Sequence, residues 1–197
     1  DDMNKKTTLI LDGTPKTDLL ASDVLKKFKE LICQSGSPLL VLQPTEMKIH
    51  YCTGCFHCWL KDPGMCVFDD DGRTIARAFS RAERVVFFTP LIFGTYNKDI
   101  KNAVERSISI LLPTFRKWKG EMHHPVRYQT APDLIGIGFT DHKDDAASEI
   151  FRRHLMRNAL NFNAQSLVTT VFTPSQSADE AVEQLKRALE KPEEIKP

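Results

Sequence analysis

Neither sign of charge is in excess in this sequence of 197 residues: 27 Lys and Arg against 26 Asp and Glu leave a formal charge of +1. That removes the usual electrostatic basis for binding nucleic acid or an acidic membrane surface. Long apolar runs are missing too, so neither a membrane span nor a membrane role is expected. Disorder is equally poorly supported, since 41% of the residues are hydrophobic and 27% charged. No internal repeat is seen. The polar opening Asp1–Lys6 leads only to a short, β-branched apolar stretch, so no targeting segment is expected and a cytoplasmic location is. Two glycine-dependent nucleotide signatures are lacking: there is no Gly-x4-Gly-Lys loop and no G-x-G-x-x-G turn. The length supports one core rather than two, so residues 1–197 are read as a single domain.

What is present is an alternation of short apolar runs and helical periods. Five strands are predicted: Thr7–Leu11, Leu39–Leu42, Val85–Phe88, Leu134–Phe139 and Leu167–Phe172. Helices are predicted between and after them. The first carries Leu20, Val24, Phe28, Leu31 and Ile32; the second starts after a capping Asp71, with Ile75, Phe79 and Ala82 inward. A third presents Ile100, Val104, Ile108 and Leu111, and a fourth Ile150, Phe151, Leu155, Ala159 and Leu160. The last opens on Ser177-x-x-Glu180, a capping box, followed by Val182, Leu185 and Leu189. The pattern predicts an α/β fold: a flavodoxin-like, doubly wound five-stranded parallel sheet in the order 2-1-3-4-5, with helices on both faces. Ligands of such sheets bind beyond the carboxyl ends of the strands, which brings the segments after Leu11, Phe88 and Phe139 to one crevice.

The first of those segments holds Gly13, Thr14, Pro15, Lys16 and, one turn into the helix, Ser22. Free N–H groups at a helix start, two hydroxyls and a cation suit a phosphate, although an ordinary capped turn has the same composition. The second, Pro90, Leu91, Ile92, Phe93, Gly94, Thr95 and Tyr96, is apolar where loops are usually polar. A flat heterocycle could rest there, flanked by Phe93 and Tyr96; a satellite core cluster is the alternative. The third begins at Thr140 and is mainly a capped, solvated helix start.

Four of the five cysteines, Cys52, Cys55, Cys58 and Cys66, form a C-x2-C-x2-C-x7-C group in a loop at 48–68. A secreted disulfide framework would spread its pairs, so the clustering points to a reducing compartment. Such a group can bind a [4Fe–4S] cluster or zinc, or act as free or disulfide-linked thiols. Cys33 stands apart and is read as a small half-buried side chain. The Asp69–Asp71 run is read as a cap and solvated turn, not a metal site. An arm at 113–132 carries His123, His124, Arg127 and Tyr128, which could orient or protonate a substrate or belong to an oligomer interface.

Gly13-Thr14-Pro15-Lys16 and Thr89-Pro90-Leu91-Ile92-Phe93-Gly94 resemble the phosphate loop and flavin loop of the flavodoxin-like NAD(P)H-dependent FMN reductase superfamily. The cysteine group resembles that of its iron–sulfur flavoprotein branch. The likeness covers roughly residues 7–175. Leu19-Leu20 departs from the small polar residues usual after the phosphate loop. The resemblance implies an FMN-dependent oxidoreductase with NADPH or NADH as donor, or an iron–sulfur flavoprotein passing electrons between [4Fe–4S] and FMN. It further implies a small-molecule acceptor or a redox protein such as ferredoxin as partner, and a homodimer or homotetramer whose arm roofs the flavin. The other reading is an FMN-binding electron carrier without small-molecule turnover, its cysteines free, disulfide-linked or zinc-bound.

Overall fold

The computed structural model describes residues 6–128 and 131–197; Gln129 and Thr130, at the end of the expected arm, lie outside them. Five strands, β1 (Thr8–Asp12), β2 (Leu39–Leu42), β3 (Arg84–Pro90), β6 (Asp133–Phe139) and β7 (Leu167–Phe172), pair in parallel in the order β2-β1-β3-β6-β7. The expected order 2-1-3-4-5 took no account of two further strands, β4 (Arg116–Trp118) and β5 (Glu121–His123). These form an antiparallel hairpin outside the sheet, so the full strand numbering reads 2-1-3-6-7.

Alternation along buried strands builds two apolar layers. Leu9, Leu11, Val85, Phe87 and Leu134 face α3 (Asp71–Arg81), α4 (Lys98–Arg106) and α5 (Asp145–Asn161), meeting Ile75, Phe79, Ile100, Phe151 and Leu155. Ile10, Val86, Phe88, Ile135 and Ile137 face α1 (Leu19–Gln34) and α6 (Ala178–Leu189), meeting Val24, Phe28 and Leu185. Each such side chain stabilises the fold by roughly 1.5–3 kcal/mol. In β6 there is no room for even a methyl: a Cβ on Gly136 would lie 1.9 Å from Leu155 Cδ1. Helix α5 therefore packs directly on the strand backbone.

Apart from the short α2 (His57–Leu60) in the cysteine loop, the helix starts are capped by side chains that accept N–H bonds: Asp18 for α1, Asp70 for α3, Asn97 for α4, Asp144 for α5 and Ser177, in a full capping box, for α6. The cap of α3 is thus Asp70 rather than the expected Asp71, whose carboxylate accepts instead from Lys48 N–H. The third expected helix ends early. After Arg106 it tightens into a 3₁₀ turn over Ser107–Ile110, which takes Ile108 and Leu111 off the α4 face. Two apolar or thiol side chains expected inside lie outside: Ile150 is exposed on α5, and Cys33 is exposed near the end of α1. Among the described residues, no helix is long and apolar enough to cross a membrane.

Candidate functional site

At the carboxyl edge of the sheet the loops after β1, β3 and β6 surround an open cleft of about 910 Å³. Its walls include Pro15, Asp18 and Leu19 on one side and Pro90, Leu91, Ile92, Phe93 and Gly94 on another; Phe139, Thr140 and Ile150 close the third. The first loop is held from below. Buried Asp12 accepts from Thr14 N–H at 2.9 Å and from Gln43 Nε2 at 2.9 Å, which fixes the chain as it leaves β1. Asn97 joins the first two loops: it donates from Nδ2 to Gly13 O at 3.0 Å, and its own N–H donates to Thr89 Oγ1 at 3.0 Å. A Cβ on Gly13 would meet Asn97 Nδ2 at 2.8 Å, so this bridge needs glycine.

The second loop is a two-residue reversal. Ile92 and Thr95 exchange backbone bonds at 2.8 and 3.1 Å, and Phe93 and Gly94 between them have φ of 52° and 75°. Positive φ at both central residues is the geometry of a type I′ turn. It holds the Phe93 ring 97% exposed at the rim, beside Ile92 and Ile150. A phenylalanine in the left-handed region and fully in water is a costly arrangement that nothing in the core requires. A planar apolar ligand in the cleft would have this ring to cover it.

The other expected cleft residues are placed differently. Thr14 is half-buried behind the loop with its Oγ1 unpartnered, a hydroxyl still lacking a hydrogen bond. Lys16 extends into solvent and pairs with Glu46 at 2.6 Å. Ser22 turns its hydroxyl back onto Asp18 O at 2.7 Å. Thr95 lies behind the turn with an unpartnered Oγ1, and Thr140 closes its own loop by donating to His142 O. Tyr96 does not flank the cleft. It is buried against Phe87, with its hydroxyl between His154 Nε2 at 2.9 Å and Asn158 Nδ2 at 3.1 Å. Burial pushes the Tyr96 hydroxyl up to about 12 and the His154 imidazole below its usual range, Lys101 adding to the latter.

These features fit FMN in two parts. The apolar turn suits a ring and the start of α1 suits a phosphate, while the Thr14 hydroxyl is buried outside the cleft wall. Asp18, Asp141 and Asp144 leave the cleft wall acidic and Lys16 is not part of it, so a phosphate here would depend on backbone N–H groups.

His123, His124, Arg127 and Tyr128 are absent from the cleft wall. The arm packs instead on the α4–α5 side, through a hairpin reversing at Lys119-Gly120. His123 is buried between Glu121 at 3.0 Å and Asn161 at 3.2 Å, and Glu121 also pairs with Arg157 at 2.8 Å. His124 bonds Thr114 O and stacks near Trp59 and Phe115. Arg127 donates to Ser109 O and Leu111 O and reaches Cys58 O, tying the arm to the cysteine loop. The arm therefore does not roof the cleft of its own chain.

Cys52, Cys55, Cys58 and Cys66 do come together, around a small apolar pocket of about 40 Å³. Cys52 and Cys55 are exposed, Cys58 and Cys66 half-buried. Among the described residues, however, no three His, Cys, Asp or Glu side chains converge as metal ligands, so the expected four-thiolate centre does not fit the group as arranged. The pocket contains a cation already. Arg106, 2% exposed, donates to both Asp70 oxygens at 2.8 Å and to His50 O at 2.6 Å, and its Nε is buried without a partner. Burial opposes that charge, but the bond to Asp70, helped by the Cys66 sulfur, outweighs it and raises the guanidinium above its ordinary value. Asn102, one turn earlier on α4, donates to Ile49 O at 2.9 Å. Asn102, Arg106 and Asp70 thus hold the start of the cysteine loop. Burial pushes the Cys58 thiol up, with Cys66 the strongest contributor among the other sulfurs.

The fold is shared with solved structures at low sequence identity. An NAD(P)H:quinone oxidoreductase from Methanothermobacter marburgensis is 15% identical with a TM-score of 0.66, covering 94% of this chain and 96% of that one. The chain shares the fold of that structure. An FMN-dependent NADH-azoreductase from Bacillus anthracis str. Ames Ancestor, in complex with FMN, is 14% identical with a TM-score of 0.67, covering 94% and 98%. The flavoenzyme NAD(P)H:(acceptor) oxidoreductase from Paracoccus denitrificans is 16% identical with a TM-score of 0.52, covering 88% and 78%. No family model matches the chain, and no curated protein matches it significantly.

Proposed function

We propose that this protein is an FMN-dependent NAD(P)H oxidoreductase acting on small electron acceptors of the quinone or azo type. The observation that carries this reading is the cleft beyond β1 and β3, where a left-handed, fully exposed Phe93 stands at the rim of a space large enough for a flavin nucleotide, with Pro15, Asp18 and Leu19 at the start of α1 on another wall. The neighbours' fold supports it, one of them carrying FMN. Bound FMN would supply the redox chemistry, accepting two electrons as hydride and releasing them together or singly. The chain's own part is to seat the phosphate on the backbone at the start of α1, to cover the ring with Phe93, and to exclude water with Leu91, Ile92 and Ile150. A small acceptor is favoured over ferredoxin because the cysteines are not set out for a cluster. The working form is a homodimer, supported by Phe115, Met122 and Tyr128, which leave apolar surface exposed on the arm.

Adding FMN to the purified chain and titrating flavin fluorescence tests this. One FMN per chain is expected, with NADPH or NADH consumed when a quinone or azo dye is present. Phe93→Ala is expected to weaken FMN about tenfold, the loss of one aromatic contact to the ring. Failure to retain FMN would overturn the proposal, while retention without NAD(P)H turnover would favour the electron carrier.

A further inference from the structure

The cysteine pocket is a site in its own right, on the α3–α4 side of the molecule and sharing no residue with the cleft wall. Two of its four cysteines differ from the others. Cys58 and Cys66 are half-buried, whereas Cys52 and Cys55 are exposed. The chain between the half-buried pair is folded back on itself: Gly64 N–H donates to Cys58 O at 2.8 Å, with Gly64 at φ 86°. Both ends of that reversal are fastened from outside the loop. Arg73 donates twice to Cys66 O, at 3.0 and 2.8 Å, and Arg127 reaches Cys58 O. The unpartnered Nε of Arg106 is buried in the same pocket, beside Cys66.

Arg106 already has its carboxylate partner in Asp70, and its unused Nε favours an anionic sulfur beside it, which is what thiol chemistry at Cys66 needs. We propose that Cys58 and Cys66 form a reversible dithiol–disulfide site that exchanges with low-molecular-weight disulfides. Cys66, next to the Arg106 cation, attacks one sulfur of the small disulfide; an S–S bond forms to Cys66 and one small thiolate leaves. Cys58 then attacks the Cys66 sulfur, the new Cys58–Cys66 bond forms, and the second small thiolate leaves. Two protein thiols are oxidised and one small disulfide is reduced to two thiols, which take up the two protons the cysteines lose. Cys52 and Cys55 stand at the open edge of the pocket and take no part in the bond.

The test is to incubate the reduced full-length protein, with whatever flavin it retains, with oxidised glutathione, and to follow thiol titration, intact mass and peptide mapping. Two of the five thiols should disappear, the mapped cross-link should join Cys58 to Cys66, and dithiothreitol should restore both. In Cys58→Ser the reaction should stop at a glutathione adduct on Cys66; Cys52→Ser and Cys55→Ser should still form the cross-link. Because the wild-type mapping stands alone, a variant that fails to fold does not leave the question open. A cross-link through Cys52 or Cys55, five thiols that persist, or iron with acid-labile sulfide or zinc bound at the four cysteines would each overturn the proposal. None of these readouts depends on the flavin reading of the cleft.

Discussion

Arg106 is among the largest side chains in the protein that water does not reach, and one carboxylate answers its charge at two points. Removing the negative charge while keeping the shape leaves the guanidinium buried without its counter-ion. Asp70→Asn is therefore expected to lower the unfolding free energy by about 3 kcal/mol, even though asparagine can still cap α3. Urea unfolding measures it, and a loss below about 1 kcal/mol would show that the ion pair is not what holds the loop. Burial works to raise the Asp70 carboxyl, but the Arg106 bond and charge together with the N–H groups of His50 and Gly72 outweigh it and hold the group below the usual carboxylate range. Its stabilising contribution is thus fully present above the unfolded carboxyl range and lost as pH falls through the folded value. This pair was partly legible. The Asp69–Asp71 run stood out in the sequence, but Arg106 on an amphipathic helix reads as a solvated cation. Its one signal is Asn102 a turn earlier, which places two polar residues on one α4 face against the chain that enters the cysteine loop.

At the scale of elements, α5 is joined to the turn after β3 by the chain from His154 through Tyr96 to Asn158. Asn158 donates to the tyrosine oxygen and the tyrosine hydroxyl donates to a neutral His154. Burial, with Lys101 behind it, depresses the His154 imidazole in the folded protein. In the unfolded chain the ring takes a proton near its ordinary value, about 6.5. Stability should therefore be full above that pH and fall progressively below it, until the folded histidine also titrates. His154→Gln should remove this part of the acid sensitivity, seen as a smaller drop in urea midpoint between pH 7 and pH 5; an unchanged drop would assign it elsewhere. Strands were the most readable elements, because runs such as Leu167–Phe172 are buried on both faces and bounded by turn residues. Tyr96 was misplaced for a local reason. The I′ turn at Phe93-Gly94 reverses the chain, sending Phe93 outward and Tyr96 inward, and no composition of a single loop reveals that.

For the whole molecule, the proposed homodimer gives the arm its purpose. Phe115 and Met122 are each 65% exposed on one hairpin, an arrangement that a second copy of the same surface can cover. Phe115→Ser combined with Met122→Ser is expected to halve the mass measured by light scattering while leaving the circular dichroism of the sheet intact; an unchanged mass would move the interface elsewhere. The arm showed in the sequence as a long connection without a strand pattern, but its hairpin strands are only three residues each, too short for alternation to register.

The sheet also divides the molecule by chemical character. Arg106, the cysteine pocket and the arm all lie with α3, α4 and α5, while α1 and α6 contribute an ordinary apolar layer behind the sheet. Lys186 lies on the outer side of that layer, where it pairs with neighbouring Glu183. A surface that captures the protein through α6 would hold every molecule in one orientation, with its four clustered thiols turned toward the solution.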